Sequence, residues 1–158
     1  MFWLKLLIRK AYTFQQLDRN ERVLLLQALV LLPVVALLLK IWGLKHTQAT
    51  LARLAAMPMI RRESQSSERL PQITSAVRMV RTAVKYYGSW ANCLKKSLVL
   101  WYLLRCQGIE PELRIGVRKE AGKFEAHAWV EYEGIVLNDT ADVRSRFVMF
   151  DRPIKALP

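Results

Sequence analysis

The chain changes its hydrophobic grammar once, at Pro111. Up to Cys106 apolar residues recur at three- and four-residue spacing, the period of one helix face, whereas beyond Pro111 they alternate with polar residues at period two. A chain that is helical first and stranded second does not interleave the strand-helix-strand units of a parallel sheet. The expected class is α+β, with an N-terminal helical part and a small antiparallel sheet against which the last long helix packs.

The stranded part reads as Glu112 to Arg118, a turn over Glu120 to Lys123, Phe124 to Tyr132, a tight turn at Glu133-Gly134, and Ile135 to Asn138, with a last strand expected over Arg146 to Phe150. At the front, Met1 to Phe14 mixes Phe2, Trp3, Leu6 and Leu7 with Lys5, Arg9 and Lys10, a short basic amphipathic helix. Asp18, Asn20 and Glu21 open a second helix that reaches Lys40 and is apolar from Val23 to Leu39 apart from Gln27. At 17 residues that run is at the lower limit for crossing a bilayer, which takes roughly 20 apolar residues, and both a spanning anchor and a helix packed within the helical subdomain stay open. Pro33 inside it removes one backbone N–H and predicts a kink. A third helix is expected over Leu44 to Ile60, ending near Pro58. Residues 61–71 open with the polar stretch Arg61 to Arg69 and read as a linker between a helical subdomain at 1–60 and a catalytic domain at 72–158. In the latter, Ile73, Val77, Val80, Ala83 and Val84 carry a helix to Tyr87, and Gly88-Ser89 turns the chain.

A length of 158 residues allows one core of ordinary size. The net charge of +12 is densest at the front, with eight basic against two acidic residues in the first 60. Basic residues are not interleaved with aromatics in any nucleic-acid-binding motif, so no nucleic-acid partner is expected. Basic residues flanking an apolar helix suit an anionic surface, and peripheral membrane contact through residues 1–40 is the expectation. Two cysteines are too few for a disulfide framework, and with no cleavable secretory signal in view the expected compartment is the cytoplasm. No Gly-rich phosphate loop or metal-ligand spacing occurs in the sequence, and neither cofactor nor metal is expected.

Three residues carry the chemistry. Cys93 lies in Ser89-Trp90-Ala91-Asn92-Cys93-Leu94-Lys95-Lys96, where a small-polar turn gives way to helical spacing. The first turn of a helix offers unpaired N–H groups and the positive end of the dipole, and Lys95 and Lys96 add charge, all of which favour the attacking, anionic form of a thiol. His127 sits in the alternating run Phe124 to Tyr132, and Asp139 ends the next apolar run. Neighbouring antiparallel strands would bring imidazole and carboxylate together. Each residue also has a plainer role open to it: a small buried hydrophobe for Cys93, a structural histidine, and a turn former for Asn138-Asp139. The order cysteine helix, histidine strand, aspartate is that of transglutaminase-like and papain-like enzymes, which leaves open hydrolysis, acyl transfer to an amine, and a non-enzymatic partner-binding module. Cys106 lies 13 residues beyond Cys93, roughly 20 Å along one helix, and is expected only to end that helix.

The segment from about Gly88 to Asp139 closely resembles the transglutaminase-like leader peptidases of lasso peptide biosynthesis, the microcin-processing type. The matching stretches are Cys93-Leu94-Lys95-Lys96-Ser97-Leu98, Gly108-Ile109 with Leu113-Arg114-Ile115-Gly116-Val117, Phe124-Glu125-Ala126-His127-Ala128-Trp129-Val130-Glu131, and Leu137-Asn138-Asp139. The resemblance implies a thiol protease with Cys93 as nucleophile, His127 as base and Asp139 orienting it, acting on a ribosomally made precursor peptide. As partners it implies a separate leader-recognition protein and an ATP-dependent lasso cyclase.

Overall fold

The computed structural model describes residues 17–57, 69–120 and 122–149. Three long helices, α1 (Arg19–Ala55), α2 (Arg69–Tyr87) and α3 (Cys93–Cys106), precede β1 (Glu112–Glu120), β2 (Lys123–Tyr132), β3 (Ile135–Val136), the single turn α4 (Val143–Arg146) and β4 (Val148–Met149). A 3-10 turn over Gly88–Trp90 joins α2 to α3. The strands form one antiparallel sheet in the order β3-β2-β1-β4. This is the α+β arrangement that the change of period predicts.

Several boundaries differ from expectation. The third strand stops at Val136 rather than Asn138, because the Asn138 side chain takes over the ladder: its Oδ1 accepts from the Val130 N–H at 2.8 Å. Arg146 closes α4 instead of opening the last strand. Helix α2 begins at Arg69, inside the expected linker, and Pro71 is tolerated in its first turn, where an N–H has no helical acceptor. The amphipathic stretch at 1–14 and linker residues 61–68 lie outside the described residues.

Helix α1 starts on a complete capping box. Asp18 Oδ1 accepts from Glu21 N–H at 2.7 Å, and Glu21 Oε2 accepts from Asp18 N–H at 3.3 Å. Buried Glu21 also pairs with Arg78, tying the start of α1 to α2. Leu24, Ala28, Leu32 and Val35 face a core shared with Ile73 and Val80 of α2, Leu98 and Leu104 of α3, Leu113 of β1 and Val130 of β2. The opposite face leaves Leu26, Val30, Leu37 and Ile41 exposed, an apolar stripe on the part of the helix before Gly43. Length and composition qualify α1 as one helix able to cross a membrane, and the packed inner face equally suits the core helix of a soluble protein.

Around Pro33 the backbone keeps helical dihedral angles. The only non-helical pair within α1 is at Gly43, with φ 70° and ψ −179°, which separates the two helices that the sequence predicts on either side. Pro33 has another consequence. Its missing N–H would have served the Leu29 carbonyl four residues back, and that carbonyl instead accepts from Tyr87 Oη at 2.6 Å. The last residue of α2 thus satisfies the acceptor that proline orphans in α1. Tyr87→Phe is expected to destabilise the protein by about 1–2 kcal/mol. In a Pro33→Ala background, where residue 33 can donate, the same change should cost less than half as much. A double-mutant cycle in urea measures this, and equal costs in both backgrounds would disprove the compensation.

Candidate active site

Asn92 caps α3, its side-chain oxygen accepting from the Lys95 N–H at 3.2 Å, and Cys93 is the first helical residue, partly exposed. Among the described residues the backbone N–H groups of Cys93 and Leu94 have no hydrogen-bond acceptor, as expected at a helix start. The two lysines behave differently. Lys95 folds back, donating to the Trp90 carbonyl at 2.7 Å and lying 4.1 Å from the centre of its ring, whereas the charge of Lys96 reaches Asp139.

One turn along α3, Ser97 is fully buried. Its hydroxyl donates to the Ala128 carbonyl at 2.9 Å and accepts from Asn138 Nδ2 at 2.9 Å. Because the other end of the Asn138 amide holds the Val130 N–H, one polar bridge fixes the cysteine helix to the neighbour of His127 and to the neighbour of Asp139. Sequence reading missed both roles: a serine at helical spacing and an asparagine at a turn carry no signal of a shared partner.

His127 and Asp139 are in direct contact, Nε2 to Oδ2, at 2.6 Å. The second oxygen, Oδ1, accepts from the Thr140 N–H at 2.8 Å and from Arg146 Nη2 at 3.0 Å. Burial pushes the Asp139 carboxyl up, but the hydrogen bonds from His127 and the Thr140 N–H, with the charges of His127 and Lys96, outweigh it and hold the group below its ordinary value. An ionised Asp139 accepts, so Nε2 carries a proton, and the neutral form of the imidazole has its lone pair on Nδ1. Behind the imidazole, Phe147 stacks at 4.9 Å between ring centres and Trp129 at 6.2 Å. Trp129 is itself anchored, its indole N–H donating to buried Glu131 at 2.7 Å, and Arg144 closes the same carboxylate at 2.8 Å. Burial raises the Glu131 carboxyl, and the bonds from Arg144 and Trp129 overcome that and bring it down.

The structure therefore brings His127 and Asp139 together directly. Cys93 is carried by the same bridged framework, one turn before Ser97, and among the described residues no hydrogen bond joins it to His127. Contacts of this kind commonly tighten only when substrate is bound. Cys106 differs in surroundings: burial pushes its thiol up, against the lowering effect of its bond with Tyr102 and the charge of Arg105. Burial likewise carries Tyr102, with help from Cys106, to about 12.

A helix-start cysteine, a strand histidine and a carboxylate on its far nitrogen form the set used in thiol acyl chemistry. The family model described as Transglutaminase-like superfamily matches residues 31–150. The chain belongs to the transglutaminase-like superfamily. Members of this superfamily are typically cysteine peptidases or acyltransferases, and both activities proceed through a thioester. Neither the curated proteins nor the solved structures give a match. The superfamily match begins inside α1, so it takes in the second half of that helix as well as the sheet.

Proposed function

We propose that this protein is a cysteine peptidase that removes the leader from a ribosomally synthesised lasso peptide precursor. The observation that carries the reading is the 2.6 Å contact between His127 Nε2 and Asp139, which leaves Nδ1 free on a framework that also holds a cysteine at a helix start. Cys93 Sγ attacks the scissile carbonyl carbon, and the carbonyl oxygen takes up the negative charge. The free N–H groups of Cys93 and Leu94 are the donors available to it. The C–N bond then breaks, and the amine leaves with the proton that His127 has taken from the thiol. Water, deprotonated by His127, attacks the thioester, releasing the leader carboxylate and restoring the thiol. A separate leader-recognition protein would present the precursor, and an ATP-dependent cyclase would close the ring on the new amine.

The finer reading rests on the likeness of Cys93 to Leu98, Phe124 to Glu131 and Leu137 to Asp139 to the leader peptidases. Co-expression of the cognate precursor and recognition protein with wild type, Cys93→Ala or Cys106→Ala, followed by mass spectrometry, tests it. A cut leader is expected with wild type and Cys106→Ala, and none with Cys93→Ala. An uncut precursor alongside folded wild type would overturn leader removal, and a product carrying an added amine would show acyl transfer instead.

A further inference from the structure

A cavity of about 450 Å³ opens beside the histidine-aspartate pair, between α2, α3 and the chain leading to Asp139. Its apolar lining comes from Val80, Val84, Leu100 and Leu137, and its polar lining includes Arg81, Lys96 and Asp139. Val80 and Leu100 are buried, so this surface is a floor fixed by the core and not a set of mobile side chains. The charges around it are unequal. Both oxygens of Asp139 are already engaged, by His127 on one side and by Thr140 and Arg146 on the other. Among the described residues neither Arg81 nor Lys96 belongs to a salt bridge, while Arg78, one turn before Arg81, is paired with Glu21. An apolar floor flanked by Arg81, outside any salt bridge among the described residues, and by Lys96, whose charge acts on Asp139 without a direct ion pair, is complementary to an apolar side chain accompanied by an anion.

We propose that this cleft is a specificity subsite for the peptide substrate, taking an apolar side chain with an adjacent Asp or Glu from a residue flanking the scissile bond. The inference rests on the peptidase reading for its substrate and adds what the reading lacks, a reason why one bond is chosen. The floor contributes through apolar burial, and the cations contribute attraction that weakens as salt rises. Asp139 is both a wall of the cleft and the partner of His127, which ties the cleft to the catalytic pair.

The probe is a synthetic peptide series spanning the cleaved bond of the precursor, in which acidic residues are changed singly to Gln or Lys and apolar residues singly to Ser. Each peptide is assayed for kcat/KM and, fluorescently labelled, titrated by anisotropy against wild type, Arg81→Glu and Val84→Phe. Wild type is expected to favour an acidic residue over lysine at one position by about tenfold at low salt, and Arg81→Glu to reverse that order. One apolar-to-Ser change should cost about tenfold with wild type and little with Val84→Phe, whose ring fills the cleft. Equal handling of all peptides by wild type, or an unchanged charge preference in Arg81→Glu, overturns the subsite. Cleavage that persists in Cys93→Ala, or fails throughout, overturns the peptidase reading instead. Anisotropy still decides the subsite in that case, because Arg81-dependent binding supports it and its absence refutes it.

Discussion

Asp139→Asn is expected to lower the proposed peptidase activity by on the order of 10²- to 10⁴-fold in a protein that remains folded. The amide keeps the shape of the carboxylate, and its oxygen can still accept from the Thr140 N–H and Arg146 at the position of Oδ1. That leaves the NH₂ group facing His127, where the native oxygen accepts at 2.6 Å. A donor in that place forces Nε2 to accept, so the imidazole proton moves to Nδ1, the nitrogen that the mechanism needs free. The loss should fall on kcat, because the proton transfers at His127 depend on which tautomer is present. Nitrogen chemical shifts of labelled His127 would report the exchanged tautomer. If the carboxylate only braced the turn, the rate would stay within about threefold and the tautomer would not change. A linked effect appears in acid. The Asp139 pKa is depressed on folding, so its contribution to stability is complete above the ordinary carboxylate pKa of about 4 and is lost as pH falls through the lower folded value. Asp139→Asn removes that contribution and makes the acid limb of the stability curve shallower, while Glu131, also held low, keeps part of the slope.

The three candidate residues were legible because each sits where local pattern reports position: a cysteine after a cap, a histidine in an alternating run, and an aspartate just past one. Periodicity identifies which face is buried and does not say what that face touches. Ser97 looked like any small residue on α3, and only the approach of β2 and the Asn138 turn makes it a bridge. Tyr87 likewise ended a predicted helix without any sign that its hydroxyl serves a carbonyl 58 positions earlier. Pro33 is legible as a lost donor, but the hydroxyl that serves the carbonyl it orphans is not. Gly43, the residue that does take non-helical angles, lies between two helices that the apolar pattern had already separated. Lys95 and Lys96 are adjacent in sequence and looked equivalent as charges near the thiol, yet Lys95 lies against Trp90 and only Lys96 acts on Asp139.

Gly116→Val is the substitution expected to do the most damage away from the catalytic groups. Gly116 pairs with His127 across the β1–β2 ladder and with Met149 on the other side. A Cβ at this position would meet Phe147 Cβ at 2.9 Å, the Trp129 ring at 3.1 Å and the Val148 carbonyl oxygen at 3.1 Å. Two of those atoms are backbone or fixed to it, so no rotamer change relieves the clash, and β4 must move away from β1. Gly116 is not among the glycines with positive φ, which makes the requirement one of space and not of backbone conformation. Moving β4 carries Phe147 with it and removes the ring that stacks at 4.9 Å behind His127. Overpacking at such a point costs about 1–3 kcal/mol, and a misaimed imidazole should add a loss of about a hundredfold in cleavage. Gly116→Ala, smaller by two methyl groups, should show the same two effects in milder form. Urea midpoints and cleavage rates measured on both variants separate the outcomes. Lowered stability with native activity would mean that Phe147 does not position His127, and native stability in Gly116→Val would mean that β4 yields freely and supports nothing.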